Sequence, residues 1–261
     1  MESDTIKQHF RPEEAQFVDQ AQGLVNQVVN EYRPVLSNFL NPRQRYILQT
    51  LVNRQADIKV TFHGGFDQAE NQRALIYPDY YAVQLDDFQV TLLEIKYAEQ
   101  FETLRHSSIL GALIHAGLKR ESFGDLIHAD QRWQLAISKP LVAFLQLELT
   151  RIGHVKIQFE VIPLAKQLPN SLDGELKDLL ISALRLDILV ANGYNIPRSQ
   201  AKELIERGQV RVNWVTREQP DLQVGINDLI SVRRHGRLII DAVNGQTKKD
   251  KWRLSLRIIR K

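Results

Sequence analysis

Along the first 55 residues the apolar positions recur at helical spacing. In "PEEAQFVDQAQGLVNQVVNEY" acidic residues follow Pro12, and Phe17, Ala21, Leu24, Val25 and Val28 then fall on one face. Asn41-Pro42 restarts a helix through Tyr46, Ile47, Leu51 and Val52. The pattern predicts a helical N-terminal domain over 1–56, with no chemistry of its own.

Between 57 and 165 the period changes. "DIKVTF" alternates until His63-Gly64-Gly65 breaks it, and "FQVTLLEIKY" reads as a strand. "TLRHSSILGALIHAGL" is helical through Leu104, Ile109, Leu113 and Leu118. "DLIHAD" and "WQLAIS" read as strands, "PLVAFLQLELTRIG" as a helix closed by Gly153, and "VKIQFEVI" as an alternating strand. The resulting order is β-α-β-β-α-β, that of a ferredoxin-like or RRM-like domain. Residues 166–184, with "KQLPNSLDGELKDLLIS", read as a Pro/Gly-punctuated linker running into a helix.

The last segment, 185–261, opens on "RLDILVANG", a short helix. In "RSQAKELIERGQVRVN" a second helix buries Ala201, Leu204, Ile205 and Gly208, at i, i+3, i+4 and i+7. Pro197 suits its first turn and Gly208 a left-handed exit. Arg198 and Lys202 lie four apart on one flank, beside Ser199. Free amide donors, the positive end of the helix dipole and two fixed cations make that end suited to a phosphate. Val210 and Val212 then alternate with Arg211, and "DLISVRRHGRLII" and "WRLSLRIIR" form an arginine-dense hairpin and strand. The fold class expected is α+β.

Charge sharpens this picture. The net value of +3 over 261 residues hides an asymmetry. Residues 185–261 hold 16 Lys and Arg against 8 Asp and Glu, whereas residues 1–184 hold 18 against 23. The basic character lies in the final segment, as for a nucleic-acid contact placed there. The absence of cysteine excludes disulfides, thiol catalysis and Cys-containing zinc sites. The seven histidines form no H-x-x-x-H pair. Gly64-Gly65 lacks the spacing of a phosphate loop, and no cofactor is expected. No apolar run is long enough to span a bilayer. The start, "MESDTIKQHF", has neither signal-peptide nor transit-peptide character. A cytoplasmic location is expected, or the plastid stroma if a transit peptide has been removed.

Arg185-Leu186-Asp187, Leu189, Arg198 through Lys202, Leu204-Ile205, Gly208, Val210, Val212-Asn213 and Asp228 through Arg234 resemble the S-four domain, the small RNA-binding fold named after small-subunit ribosomal protein four. "HGGFDQAENQR" and "ILGALIHAGLKRESFGDLI" extend the resemblance to the YlmH-type family, in which an S-four domain follows an RRM-like one. That family includes cyanobacterial and plastid members labelled photosystem II S4-domain proteins. The resemblance implies binding to structured rRNA or tRNA, on the large ribosomal subunit, and within the family a role with stalled peptidyl-tRNA. It implies no membrane contact and no DNA. The RNA-contacting residues expected are Arg185, Arg198, Ser199, Lys202, Arg207, Arg211, Asn213, Arg233, Arg234 and Arg237, with Asp187 a structural partner of a neighbouring arginine. The family's turn reads Val-Asn-Gly, but Trp214 follows Asn213 here, so a type I′ turn is not expected. Trp214 then either packs on the domain or stacks on a base.

The middle domain lacks the aromatic pattern with which an RRM sheet stacks bases, Tyr97 alone standing near "LLEIKY". An enzymatic alternative rests on Pro78-Asp79 followed by Glu94-Ile95-Lys96, which resembles the PD-(D/E)xK nuclease pattern. There Asp79 and Glu94 would hold a divalent metal, and Lys96 would orient a water. Glu94 and Lys96 equally fit the polar side of an alternating strand, and a non-catalytic protein is expected.

Overall fold

Three clusters of buried apolar residues assemble in the first of two units and a fourth in the second. The structure is a computed structural model that describes residues 10–169, 174–247 and 249–260. The chain divides into two units, Met1–Ser171 and Leu172–Lys261.

The first core joins helices to a sheet. A 3₁₀ turn, Pro12–Glu14, leads into α1 (Ala15–Glu31), followed by β1 (Val35–Leu40), α2 (Pro42–Val52), β2 (Ile58–His63) and β3 (Gln72–Pro78). Asn41 caps α2: its side chain accepts from Gln44 N at 2.9 Å, and Gln44 returns a bond to Asn41 N at 3.0 Å. The strands run antiparallel in the order β1-β3-β2. Val18, Ala21, Val25 and Val28 of α1 pack with Ile47, Leu48, Leu51 and Val52 of α2 against Val35, Ile58, Ala74 and Ile76. The N-terminal segment is thus not purely helical, and its packing does not end at residue 56. "VLSNFL" has period-two burial rather than a helical stripe, and β1 needs β3 to satisfy its backbone.

The second core has the expected order. It comprises β4 (Val90–Lys96), α3 (His106–His115), β5 (Phe123–Ala129), β6 (Arg132–Ser138), α4 (Val142–Glu148), a small hairpin of β7 (Arg151–Ile152) and β8 (Val155–Lys156), and β9 (Gln158–Ile162). The antiparallel sheet runs β5-β6-β4-β9, the ferredoxin-like arrangement. Leu93, Ile95, Trp133, Leu135 and Ile137 face the helices. On the other face, Leu92, Ala136 and Ile162 lie under Phe39, Phe66 and Ala69. Gln134, fully buried there, donates to Lys166 O and accepts from Leu168 N. The sheet face on which an RRM would display stacking aromatics is therefore largely covered by the chain itself. Arg73 adds a bolt between the two cores. It is buried, donates to the carbonyls of Ser37, Phe88 and Gln89, and has its pKa depressed to about 10 by that burial.

The C-terminal unit contains β10 (Glu175–Ile181), α5 (Leu186–Tyr194), α6 (Arg198–Glu206), β11 (Val210–Val212), β12 (Val215–Arg217), β13 (Leu229–Val232), β14 (Gly236–Gln246) and β15 (Trp252–Arg260). Its sheet order is β10-β15-β14-β13-β11-β12. The linker expected at 166–184 falls partly on residues 170–173, outside the described residues. The helix expected after it is instead strand β10. Seven consecutive residues pair with β15, from Glu175↔Ile258 to Ile181↔Trp252. Tertiary pairing overrides the helix preference of "ELKDLL", because β15 would otherwise be an unpaired edge. Both helices pack on one sheet face, with Leu186, Leu189, Ala201 and Ile205 against Val210, Ile230, Leu238 and Leu256.

Candidate nucleic-acid interface

The two helices of the C-terminal unit are joined by a turn that fixes where α6 begins. Asn195, in the left-handed region at φ 54°, ends α5. Lys177 Nζ reaches across from β10 to Asn192 O at 3.2 Å and Asn195 Oδ1 at 3.0 Å, a cation at the negative end of the helix dipole. Pro197 then holds extended geometry at the N-cap and supplies no side-chain cap. The first amides of α6 therefore stay open to a ligand.

Asp187 organises this end of the unit. Its carboxylate is fully buried and accepts from Arg185 Nε at 3.1 Å and Nη2 at 3.2 Å, and from Arg198 Nε at 2.9 Å. Ile188 N donates to it as well, at 3.0 Å. Burial pushes the carboxyl pKa up, and the two guanidiniums more than offset this, leaving it below the usual carboxylate range. The Arg198 side chain remains 51% exposed, so one edge of its fixed guanidinium faces solvent. Ser199 and Lys202 are exposed on the same first turns of α6. Arg207, at the far end, pairs with Glu203 at 2.6 Å.

The remaining predicted residues lie elsewhere on the unit. Val210 and Val212 enter the core beneath the helices, so the intervening Arg211 projects from the opposite sheet face. Arg211 pairs with Ser231, and Ser231 with Arg237, which sets the two arginines roughly 10 Å apart across three strands. A single platform combining Arg211 with Arg198, Ser199 and Lys202 is not formed. Arg233 and Arg234 are exposed in the β13–β14 turn.

The Asn213 side chain and backbone bond within the fold. Its amide donates to Asp228 Oδ1 at 2.8 Å, its Oδ1 accepts from Leu229 N at 3.0 Å, and its backbone N donates to Leu229 O at 2.9 Å. These bonds produce a turn that the sequence did not predict. Val212 pairs with Val215 across a two-residue loop, and Asn213 (φ 51°) and Trp214 (φ 68°) both occupy the left-handed region, as a type I′ turn requires. Three bonds at Asn213 fix the turn without the usual glycine.

Sequence models match the chain in three consecutive stretches: "YlmH, N-terminal" over 13–81, "Putative RNA-binding domain in YlmH" over 84–166, and "S4 domain" over 184–230. A relative from Bacillus subtilis (strain 168), "Ribosome-associated protein quality control protein P2", is 38% identical over 250 residues, covering 96% of this chain and 97% of that one. The chain belongs to the YlmH family. A solved YlmH structure, "Cell division protein ylmH from Streptococcus pneumoniae", superposes with a TM-score of 0.55 at 32% identity, covering 62% of this chain and 98% of that one. The YlmH domain boundaries agree with the packing: the first match takes in α1 through β3, and the second takes in the ferredoxin-like sheet. The S4 match holds the Asp187 cluster, α6 and the β11–β12 hairpin, while β10, β14 and β15 lie outside it and widen its sheet.

The nuclease pattern meets a different arrangement. Asp79 follows β3 in the first sheet, whereas Glu94 sits on β4 in the second. Glu94 is buried, ion-paired to Lys96 and Arg132, and accepts from Gln134 Nε2 at 3.1 Å. The Arg132 bond leads in drawing its pKa down to about 2, against the opposing effect of burial, with Lys96 and Gln134 adding to the fall. Among the described residues, no group of three or more His, Cys, Asp or Glu side chains gathers as metal ligands would. Glu94 therefore acts as a strand-to-strand clamp. Its folded-state pKa is depressed, so its stabilisation is present above about pH 4.5 and is lost as pH falls towards 2. The shift corresponds to at most about 3 kcal/mol, reduced by screening of its partly exposed partners. Glu94→Gln is expected to lower stability by about 1–3 kcal/mol at pH 7 and by progressively less in acid. Neither parent nor variant should cleave RNA with Mg²⁺ or Mn²⁺. Metal-dependent cleavage by the parent that Glu94→Gln abolishes in a folded protein would restore the enzyme reading.

Proposed function

We propose that this protein is a non-catalytic RNA-binding factor. It recognises structured RNA, rRNA or tRNA on the large ribosomal subunit, and acts in quality control of translation in the cytoplasm. The observation that carries the reading is the start of α6: an uncapped helix N-terminus flanked by Arg198, which a buried Asp187 holds in place, and by exposed Ser199 and Lys202. Such a site suits a phosphate backbone rather than a base edge. It lies within an S4 domain, and the ribosomal setting is supported by the name of the Bacillus subtilis relative. That name favours translation over the photosystem role that some family labels imply. Arg211 and Arg237 on the opposite sheet face supply further cations for a ligand that wraps the domain edge. The covered sheet of the middle domain supports a role for the first unit in positioning or partner recruitment, without base stacking.

Affinity should divide with the units. Residues 172–261 should bind a structured RNA with most of the affinity of the whole chain, and residues 1–171 should bind far more weakly in a filter or anisotropy assay. Equal binding by both would overturn the placement of the site.

A further inference from the structure

The tip of the β11–β12 hairpin holds a tryptophan in a backbone conformation that suits glycine. Trp214 has φ 68°, and a bulky side chain there costs free energy that glycine would not incur. The position is not free to relax, because the Asn213 bonds to Asp228 and Leu229 fix the turn beside it. The ring is also only partly covered by the domain. Trp214 is 40% exposed and Val215 beside it 47%. Its hairpin ends in β12, the edge strand of the sheet. The exposed Arg211 lies three residues earlier.

We propose that Trp214 is a nucleobase-stacking residue, which selects RNA carrying an unpaired or extruded base near the duplex backbone gripped by α6. The inference rests on the RNA-binding reading and adds the class of RNA. A rigid, partly exposed indole offers a π-face to any base, so the contact is tolerant of sequence but requires a base outside a helical stack. Strain held in place by surrounding bonds is a recurrent property of ligand contacts. The remaining area of the ring would be covered by the base.

The test uses the full chain and two RNA probes of equal length, a perfect duplex and the same duplex with one bulged nucleotide. Trp214→Gly should keep or raise the melting temperature, because glycine relieves the left-handed strain. It should weaken binding of the bulged RNA by roughly 5- to 100-fold, the usual effect of losing one stacked base. Binding of the perfect duplex and the salt dependence for both RNAs should stay unchanged, since no phosphate contact is removed. Trp214→Phe should retain most of the preference for the bulge. Undiminished binding of the bulged RNA by Trp214→Gly, alongside loss of binding in Lys202→Glu, would overturn the stacking role and leave the RNA-binding reading intact. A fall of several degrees in melting temperature for Trp214→Gly would overturn it too, by showing that the ring packs on the domain. If the parent binds neither RNA, both readings fall together.

Discussion

Combining Arg198→Gln with Lys202→Glu is expected to weaken binding of structured RNA on the order of 40-fold at 0.1 M salt. Each phosphate contact contributes roughly 0.7–0.9 to the slope of log affinity against log salt. Losing two contacts flattens that slope by about 1.6, which is about 1.6 log units over the tenfold range from 1 M down to 0.1 M. The double variant should converge with the parent at high salt, a signature that misfolding would not give. Glutamine is chosen at 198 because a glutamate would oppose the buried Asp187 and confuse repulsion with lost contact. Lys202 is exposed, and its substitution should change stability by no more than about 0.5 kcal/mol. An unchanged affinity and slope would mean that α6 presents an ordinary solvated face.

The Asp187 cluster gives the second large effect, on stability. Replacing both Arg185 and Arg198 by Met strands a fully buried carboxylate. Breaking a buried pair in this way costs about 3–5 kcal/mol, and for a unit of this size about 1 kcal/mol moves the melting temperature by roughly 4–8 °C. Adding Asp187→Asn to the double variant should recover much of the loss, because the stranded charge is gone. The pH dependence should invert as well. In the parent, the depressed carboxyl contributes stability above its unfolded value, and this is lost as pH falls through the folded one. In the Arg-less variant, burial alone raises the carboxyl pKa, so acid should relieve the destabilisation. Thermal melts of the C-terminal unit between about pH 3 and 7 would show both trends. If the triple variant is no more stable than the double, Asp187 is not the source of the cost.

Much of this was legible in the residues because local pattern and tertiary packing agreed. The ferredoxin-like order followed from alternation in "WQLAIS" and "VKIQFEVI" and from the helical stripe around Leu113. The buried Ala201 and Ile205, and Gly208 at φ 65°, followed from spacing and turn chemistry. The misses occur where a distant strand decides the outcome. "ELKDLL" has helix-forming residues, but its partner is β15, roughly 80 residues later, which no local window contains. The β1 strand likewise waits for β3. At the hairpin, Trp214 after Asn213 argues against a type I′ turn, yet the Asn213 bond to the side chain of Asp228 helps to hold that turn. Arg211 stood out by charge, but only the burial of Val210 and Val212 reveals which face it takes. The covering of the middle sheet by Phe39 and Phe66 could not be foreseen from the alternating strand, although the missing aromatics were a sign of it.

The most direct measurement is ultraviolet crosslinking of the full chain to RNA in cells, with the crosslinked peptides and the attached RNA both sequenced. Peptides from 185–214 are expected to be joined to rRNA of the large subunit or to tRNA. Crosslinks confined to peptides from 13–166, or to RNA outside the ribosome, would contradict it.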